Sequence, residues 1–130
     1  MKVKSMNWFA AVLLAGGILP LAAADKMPPA SAKQGVTFDK DIKPIFEASC
    51  VKCHGPEKQK GKLRLDTLDF ARKTGQKHIL PGKSAESRLV ISVARLAQNE
   101  DENMPPAGKG EPLTAEQVGL IRAWIDQGTK

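Results

Sequence analysis

The feature that most constrains this 130-residue chain is the run Cys50-Val51-Lys52-Cys53-His54, which contains its only two cysteines. Two cysteines separated by two residues, with a histidine directly after the second, are typical of c-type haem attachment. One helical turn places both sulfur atoms on the same side of the backbone, along one edge of a flat ring. His54 would then supply the proximal ligand of the iron. The motif therefore predicts that Cys50 and Cys53 hold haem c covalently.

Three other interpretations of the motif compete with haem attachment. A structural zinc site usually needs four protein ligands, and only His78 is left as a fourth after Cys50, Cys53 and His54. A dithiol redox site would normally follow a strand in an alternating strand–helix pattern, which this sequence does not have. The third alternative is a disulfide between the two cysteines. Haem is favoured because the whole motif occurs in a chain with an export signal and no other cysteine.

The export signal is the amino-terminal segment. Lys2 and Lys4 precede an apolar run over residues 8–21, and Ala22-Ala23-Ala24 fits a signal-peptidase site. We therefore interpret residues 1–24 as a cleaved secretory signal peptide. The alternative, an uncleaved membrane anchor, is less favoured because the run is short and is interrupted by glycines and Pro20. Periplasmic or otherwise exported location agrees with haem attachment, which generally takes place outside the cytoplasm.

The remaining chain is long enough for one small domain. Without Lys2 and Lys4 it keeps 18 of the 20 basic residues and all 14 acidic residues, a net charge of +4. This charge is too modest to indicate a nucleic-acid partner. Residues 25–36 contain Pro28-Pro29 and no periodic apolar pattern, so we predict a disordered leader there. Residues 37–130 are predicted to form the domain, and we expect a monomer.

Apolar periodicity and capping residues predict four helices in this domain. They are residues 41–50 with Asp41 as N-cap, 67–73 ending at Gly75, 85–97 after Ser84, and a last helix from Thr114 to Gly128. Thr114 and Gln117 match a capping box. Residues 63–66 alternate between apolar and polar side chains, which leaves a short strand and an extended loop equally open.

The sixth ligand of the iron has few candidates: His78, Met27, Met104 and the lysines. Met27 lies in the predicted leader. Met104 precedes Pro105-Pro106, whose fixed φ angles stiffen the loop that carries it. We favour Met104, because methionine and histidine together are the axial ligands of electron-transfer cytochromes c.

An ordered set of short motifs resembles the small class I-type cytochrome c domains, most closely the planctomycete-type cytochrome c domain. The matching residues are 41–45, 50–55, 61–66, 81–83 with Ser87 and Leu89, 104–106 and 124–128. Together they span nearly all of residues 38–128. The resemblance implies an all-α fold of about four helices around one covalently bound haem, with His54 and Met104 as axial ligands.

Two secondary site residues have both a functional and a purely structural interpretation. The Pro81 carbonyl is a candidate acceptor for the Nδ1 proton of His54, as the proline after the motif is in similar cytochromes, or it belongs to a plain turn. Arg64 is a candidate partner of a haem propionate, or a solvated arginine. Four lysines near the motif would steer an acidic redox partner such as a dehydrogenase or oxidase, or only keep the surface soluble; they are Lys52, Lys58, Lys60 and Lys62.

These observations favour a monohaem electron carrier that is not itself an enzyme. Two alternatives stay open. The first is a haem subunit of a larger exported oxidoreductase. The second is a ligand-binding or peroxidase-like haem protein with an open sixth position, although c-type peroxidases usually carry a second haem motif, which this chain lacks.

Overall fold

The computed structural model describes residues 26–130, so the predicted signal peptide lies outside the described residues. Over this range the chain forms four α-helices and no strand: α1 (Lys43–Ser49), α2 (Leu68–Thr74), α3 (Arg88–Val93) and α4 (Ala115–Asp126). A π-helical stretch, Phe38–Ile42, leads into α1, and 3₁₀ turns occupy Lys60–Lys62, Ser84–Glu86 and Glu100–Glu102. The predicted all-α class is confirmed. In the described part of the chain, no helix has the length and apolar character needed to cross a bilayer.

The first helical segment begins earlier than predicted, at Phe38 rather than Asp41. Asp41 is not the N-cap but lies one turn inside, where its Oδ2 atom accepts a hydrogen bond of 3.0 Å from the amide of Thr37. It also forms an ion pair with Lys33. The hydrogen bond from Lys33, followed by that from Thr37, lowers the pKa of Asp41 below its ordinary value. Pro44 lies in the first turn of α1, as predicted.

The core is centred on three aromatic rings that join this first segment to α4. Phe38, Phe46 and Trp124 are each at most 1% exposed. Their ring centroids are 5.9–6.0 Å apart in tilted or edge-to-face arrangements. Such pairs stabilise a fold by about 0.5–1.5 kcal/mol beyond the burial of their area. The contact therefore fixes the end of α1 relative to α4.

α4 begins as predicted. The Thr114 hydroxyl accepts a hydrogen bond from the Gln117 amide at 3.1 Å, and the Gln117 side chain accepts one from the Thr114 amide at 2.9 Å. This reciprocal pair satisfies two amides that the helix start would otherwise leave free. Leu113 and Val118 are both buried beside it.

α3 is shorter than the predicted helix over residues 85–97. Ser87 has an extended backbone, and its hydroxyl is held between the carbonyl of Lys83 and the amide of Leu80, which separates the 3₁₀ turn from α3. At the other end, Arg95 has a left-handed φ of 60° that stops the helix. Residues 63–66 form an extended segment in which Leu63 and Leu65 are buried.

The largest difference from the sequence prediction concerns residues 28–36, here called the strap. They were predicted as part of a disordered leader, but they pack along α4. The Arg122 guanidinium donates to the carbonyl of Pro28, and the Gln127 side chain donates to the carbonyl of Lys33 at 2.8 Å. Val36 is 2% exposed, and its amide donates to Gln127.

The strap binds α4 because polar side chains of α4 form hydrogen bonds with backbone groups of the strap. A search for periodic apolar residues does not detect such contacts. The contact also requires a small residue at position 119 of α4. The Ser31 amide donates to the Gly119 carbonyl at 2.9 Å, and a Cβ atom on Gly119 would lie 2.8 Å from the carbonyl oxygen of Pro29. Glycine at this position therefore permits the close approach.

We predict that Gly119→Ala displaces the strap although alanine favours helix formation. The added methyl group meets backbone that cannot rotate away, so the thermal midpoint should fall by about 4–8 °C, and exchange of the Ser31 amide should accelerate. Gly110→Ala is the control, since a Cβ there meets only Pro105 at 3.4 Å, an ordinary contact. Equal effects of the two substitutions would contradict the prediction.

Candidate cofactor site

The two cysteines and His54 lie on one turn that directly continues α1. The Cys50 amide donates to the Phe46 carbonyl at 2.8 Å, and the amides of Cys53 and His54 donate to the Cys50 carbonyl at 3.1 and 2.9 Å. These bonds confirm that a single helical turn carries the motif. Because Phe46 belongs to the aromatic core, the turn is attached directly to buried, closely packed side chains.

Cys50 lies in apolar surroundings, partly buried against the core. Burial raises the pKa of its thiol to about 12. A redox-active dithiol needs a lowered thiol pKa, because the thiolate is the nucleophile. The dithiol alternative is therefore not supported. Cys50 and Cys53 are both free thiols, so the disulfide alternative is not supported either.

The zinc alternative also lacks support. Among residues 26–130, no three histidine, cysteine, aspartate or glutamate side chains are grouped as a metal site would require. His78, the fourth ligand considered for zinc, is half-buried, with its carbonyl bonded to the Leu89 amide. Burial, followed by the charges of Arg88 and His54, lowers the pKa of His78.

The imidazole of His54 is fixed through one of its two nitrogens. Its Nδ1 atom lies 2.9 Å from the carbonyl oxygen of Lys60, which can only accept, so Nδ1 carries the proton. The second nitrogen, Nε2, is then the ring atom with a lone pair for a metal. The sequence left two roles open for Pro81, as this acceptor or as part of a plain turn. Pro81 lies in an exposed turn that the Gly82 amide ties to the Ile125 carbonyl of α4.

The loop after the motif folds back to deliver the Lys60 carbonyl. The Lys60 amide donates to the Cys53 carbonyl at 3.0 Å, and the Leu65 amide donates to the His54 carbonyl at 2.8 Å. Gly61 follows with a left-handed φ of 64°. Sequence reasoning missed Lys60 because the group involved is a backbone carbonyl. The only signal in the sequence was Gly61, which indicates a turn but not the direction of the Lys60 carbonyl before it.

Met104 lies on a second turn, beyond α3. It is partly buried and packs against the core, and its amide donates to the Ser92 carbonyl at 3.0 Å. The Met104–Pro105 peptide bond is cis. The hydrogen bond from its amide ties Met104 to the end of α3. Its ligation of iron stays a prediction.

Arg64 is engaged within its own segment. Its Nε and Nη2 atoms donate to the two carboxylate oxygens of Asp66 at 2.6 and 2.9 Å, and its guanidinium carbon lies 3.5 Å from the ring centroid of Phe70. The hydrogen bond from Arg64 lowers the pKa of Asp66. The charge of Arg64 is therefore already compensated by Asp66, and its contact with a propionate stays a prediction.

The donor set fits haem c better than any other group considered. One turn supplies two thiols and an imidazole with its tautomer fixed, and the surroundings of Cys50 are apolar, as a porphyrin edge requires. A thioether is available at Met104 on a separate element. Sulfur and imidazole donors of this kind are the ligands that haem iron takes in cytochromes c.

Residues 50–108 match the model of a protein family described as Planctomycete cytochrome C. The match confirms the planctomycete-type cytochrome c domain that the sequence motifs indicate, and this family comprises haem-binding proteins of the electron-carrier type. The matched range includes both cysteines, His54 and Met104. Neither the curated proteins nor the solved structures contain a match to the chain.

We predict that the Lys60 carbonyl depends on the left-handed turn at Gly61. Gly61→Ala should strain the turn by about 1 kcal/mol and accelerate hydrogen exchange of the His54 Nδ1 proton, measured by NMR of the reduced haem-loaded protein. Gly108→Ala is a matched control, because Gly108 also has a positive φ and open space around its Cα. It should lower stability similarly without changing the exchange of the His54 proton; equal exchange rates in both variants would contradict the assignment.

Proposed function

We propose that the protein is an exported monohaem electron carrier with His54 and Met104 as axial ligands, since residues 50–108 match the family model of a planctomycete-type cytochrome c domain. The observation that carries the proposal is the turn at residues 50–54. It presents two thiols and an imidazole whose Nδ1 proton is held by the Lys60 carbonyl. A haem bound there supplies a one-electron Fe(III)/Fe(II) couple.

The residues of the turn perform two tasks. Cys50 and Cys53 would anchor the ring covalently through their sulfur atoms. His54 directs Nε2 to the iron while Nδ1 remains protonated. The hydrogen bond to Lys60 fixes the tautomer and orientation of the imidazole and raises its basicity, which is the usual effect of an acceptor behind a ligating histidine.

Met104 takes the sixth position in this proposal. Its thioether is a soft donor that raises the reduction potential relative to a second histidine. Its support is positional: the residue is partly buried against the core, and its amide is bound to the end of α3. A haem held by both His54 and Met104 would supply one-electron transfer, and no position at the metal would be left for a substrate.

The partner of such a carrier would be a redox protein with an acidic surface. Lys52, Lys58, Lys60 and Lys62 are all exposed and lie within or just after the motif. Exposed lysines close to the motif would accelerate encounter with an acidic dehydrogenase or oxidase, and increasing salt would slow it. The predicted signal peptide supports the proposal that this exchange occurs in the periplasm or another exported compartment. A haem subunit of a larger oxidoreductase would use the same lysine-rich surface.

The first prediction from this proposal concerns covalent attachment. Protein expressed with export should show a haem-stained band after denaturing electrophoresis, and Cys50→Ala combined with Cys53→Ala should abolish it. The two side chains are the only thiols in the chain. A wild-type band that lacks iron porphyrin would overturn the proposed cofactor.

The second prediction concerns the sixth ligand. The oxidised protein should show the weak near-infrared absorption of an iron–thioether bond. Met104→Ala should remove this absorption, admit carbon monoxide to the reduced form and lower the reduction potential, because water or another ligand replaces sulfur. These changes are measured by absorption spectroscopy and redox titration.

Met27→Ala is the matched control for this experiment. Met27 is also partly buried against the core, so its truncation has a similar packing cost without removing a ligand. It should leave the near-infrared absorption and carbon monoxide binding unchanged. If the wild-type protein binds carbon monoxide readily and Met104→Ala changes nothing, the ligand-binding or peroxidase-like alternative replaces electron transfer.

A further inference from the structure

Three hydrogen bonds tie the residues around Met104 to the end of α3. The Met104 amide donates to the Ser92 carbonyl at 3.0 Å. The Asn103 Oδ1 atom accepts from the Ala97 amide at 3.1 Å, and the Arg95 Nη1 atom donates to the Pro105 carbonyl at 3.2 Å. The residues on both sides of Met104 are therefore held by side-chain contacts, and Met104 itself is held by its backbone.

Asn103 is an unusual residue at its position, because its polar side chain is only 7% exposed. A buried amide is costly unless it is hydrogen-bonded. Here its oxygen satisfies a backbone donor four residues past the end of α3, where no helical partner exists. The Asn103 amide also donates to the Glu100 carbonyl at 3.0 Å. Asn103 thus connects the 3₁₀ turn before Met104 to the segment after α3.

Arg95 holds the other side of Met104. Its φ of 60° lies in the left-handed region, which is costly for a residue other than glycine and persists only where the surroundings require it. Its amide donates to the Ser92 carbonyl at 3.1 Å, the same oxygen that accepts from Met104. The left-handed turn therefore brings the Arg95 backbone and the Met104 backbone to one acceptor, while the guanidinium reaches Pro105.

From this arrangement we infer that Arg95 and Asn103 are positioning residues that keep the Met104 sulfur on the iron. The inference rests on the proposed function, in which Met104 is the sixth ligand. A methionine side chain has three rotatable bonds and adapts readily to different positions. The time that its sulfur spends at the metal therefore depends on how firmly the neighbouring backbone is held. Neither Arg95 nor Asn103 would touch the iron.

The experiment compares carbon monoxide binding to the reduced protein, which requires the sulfur to leave, with the near-infrared absorption of the oxidised protein. Asn103→Leu removes the acceptor for Ala97 at similar size, and Arg95→Gly removes the guanidinium while relieving the left-handed strain. Each should increase the rate of carbon monoxide binding about fivefold, the effect of one lost hydrogen bond on a local opening. Each should also weaken the near-infrared absorption. Arg95→Lys, which keeps a charged donor, should restore most of the wild-type behaviour.

Two controls separate positioning from general stability. Arg72→Ala removes another exposed arginine, whose guanidinium donates to the Thr129 carbonyl at 3.0 Å rather than to a residue around Met104. Thr114→Ala removes the cap of α4 and should lower stability by about as much as one lost hydrogen bond. Neither should change carbon monoxide binding. If Thr114→Ala increases the rate as strongly as Arg95→Gly, the effect reflects stability alone and the inference is overturned.

The outcomes also distinguish this inference from the proposed function. If Met104→Ala opens the sixth position but Arg95→Gly and Asn103→Leu leave carbon monoxide binding unchanged, only the positioning role fails. If Met104→Ala itself changes nothing, the ligand assignment fails and the positioning role fails with it. Arg95 is exposed, so its variants should fold even if Asn103→Leu does not. The Arg95→Gly and Arg95→Lys pair then decides the outcome.

Discussion

The contact among Phe38, Phe46 and Trp124 is the interaction on which the rest of the structure depends. It joins the first helical segment to α4 through three rings that are almost fully buried. Phe46 also supplies the carbonyl that receives the amides of Cys50 and Val51. The turn that carries both thiols and His54 is therefore built directly on this aromatic contact. The hydrogen bonds to the Phe46 carbonyl thus fix the proposed haem-binding turn to the core, although the core of this domain is small.

Short sequence motifs predicted the structure correctly where the stabilising contacts join residues that are close in sequence. The cysteine and histidine spacing predicted the turn at residues 50–54, and the pair Thr114 and Gln117 predicted the start of α4. Both depend on residues three or four positions apart. The Phe38–Ile42 stretch was missed because its first turn is stabilised by the Asp41 carboxylate bonding back to the Thr37 amide, whereas the pattern placed Asp41 at the boundary itself.

Contacts between distant parts of the chain could not be predicted in the same way. The strap binds α4 through Arg122 and Gln127, more than ninety residues away in sequence. The acceptor of the His54 proton is a backbone carbonyl at Lys60, which any residue type could supply, so no side-chain pattern marks it. Arg95 and Asn103 were not candidates either, because an exposed arginine and an asparagine in a loop usually indicate only a soluble surface.

The two residues proposed as axial ligands are held in physically different ways. Around His54, the fixing groups are backbone carbonyls and amides of a folded-back loop, and the two cysteines proposed to attach the haem lie on the same turn. Around Met104, two of the three hydrogen bonds come from the side chains of Arg95 and Asn103. A single substitution removes a side-chain contact directly, whereas it removes a backbone contact only where it displaces the turn that carries it, as at Gly61. Most substitutions near His54 should therefore leave its contacts in place, while replacing Arg95 or Asn103 removes a contact beside Met104 directly. If Met104 is the sixth ligand, substitutions at Arg95 or Asn103 would be the simplest route from a closed haem site to one that admits an external ligand.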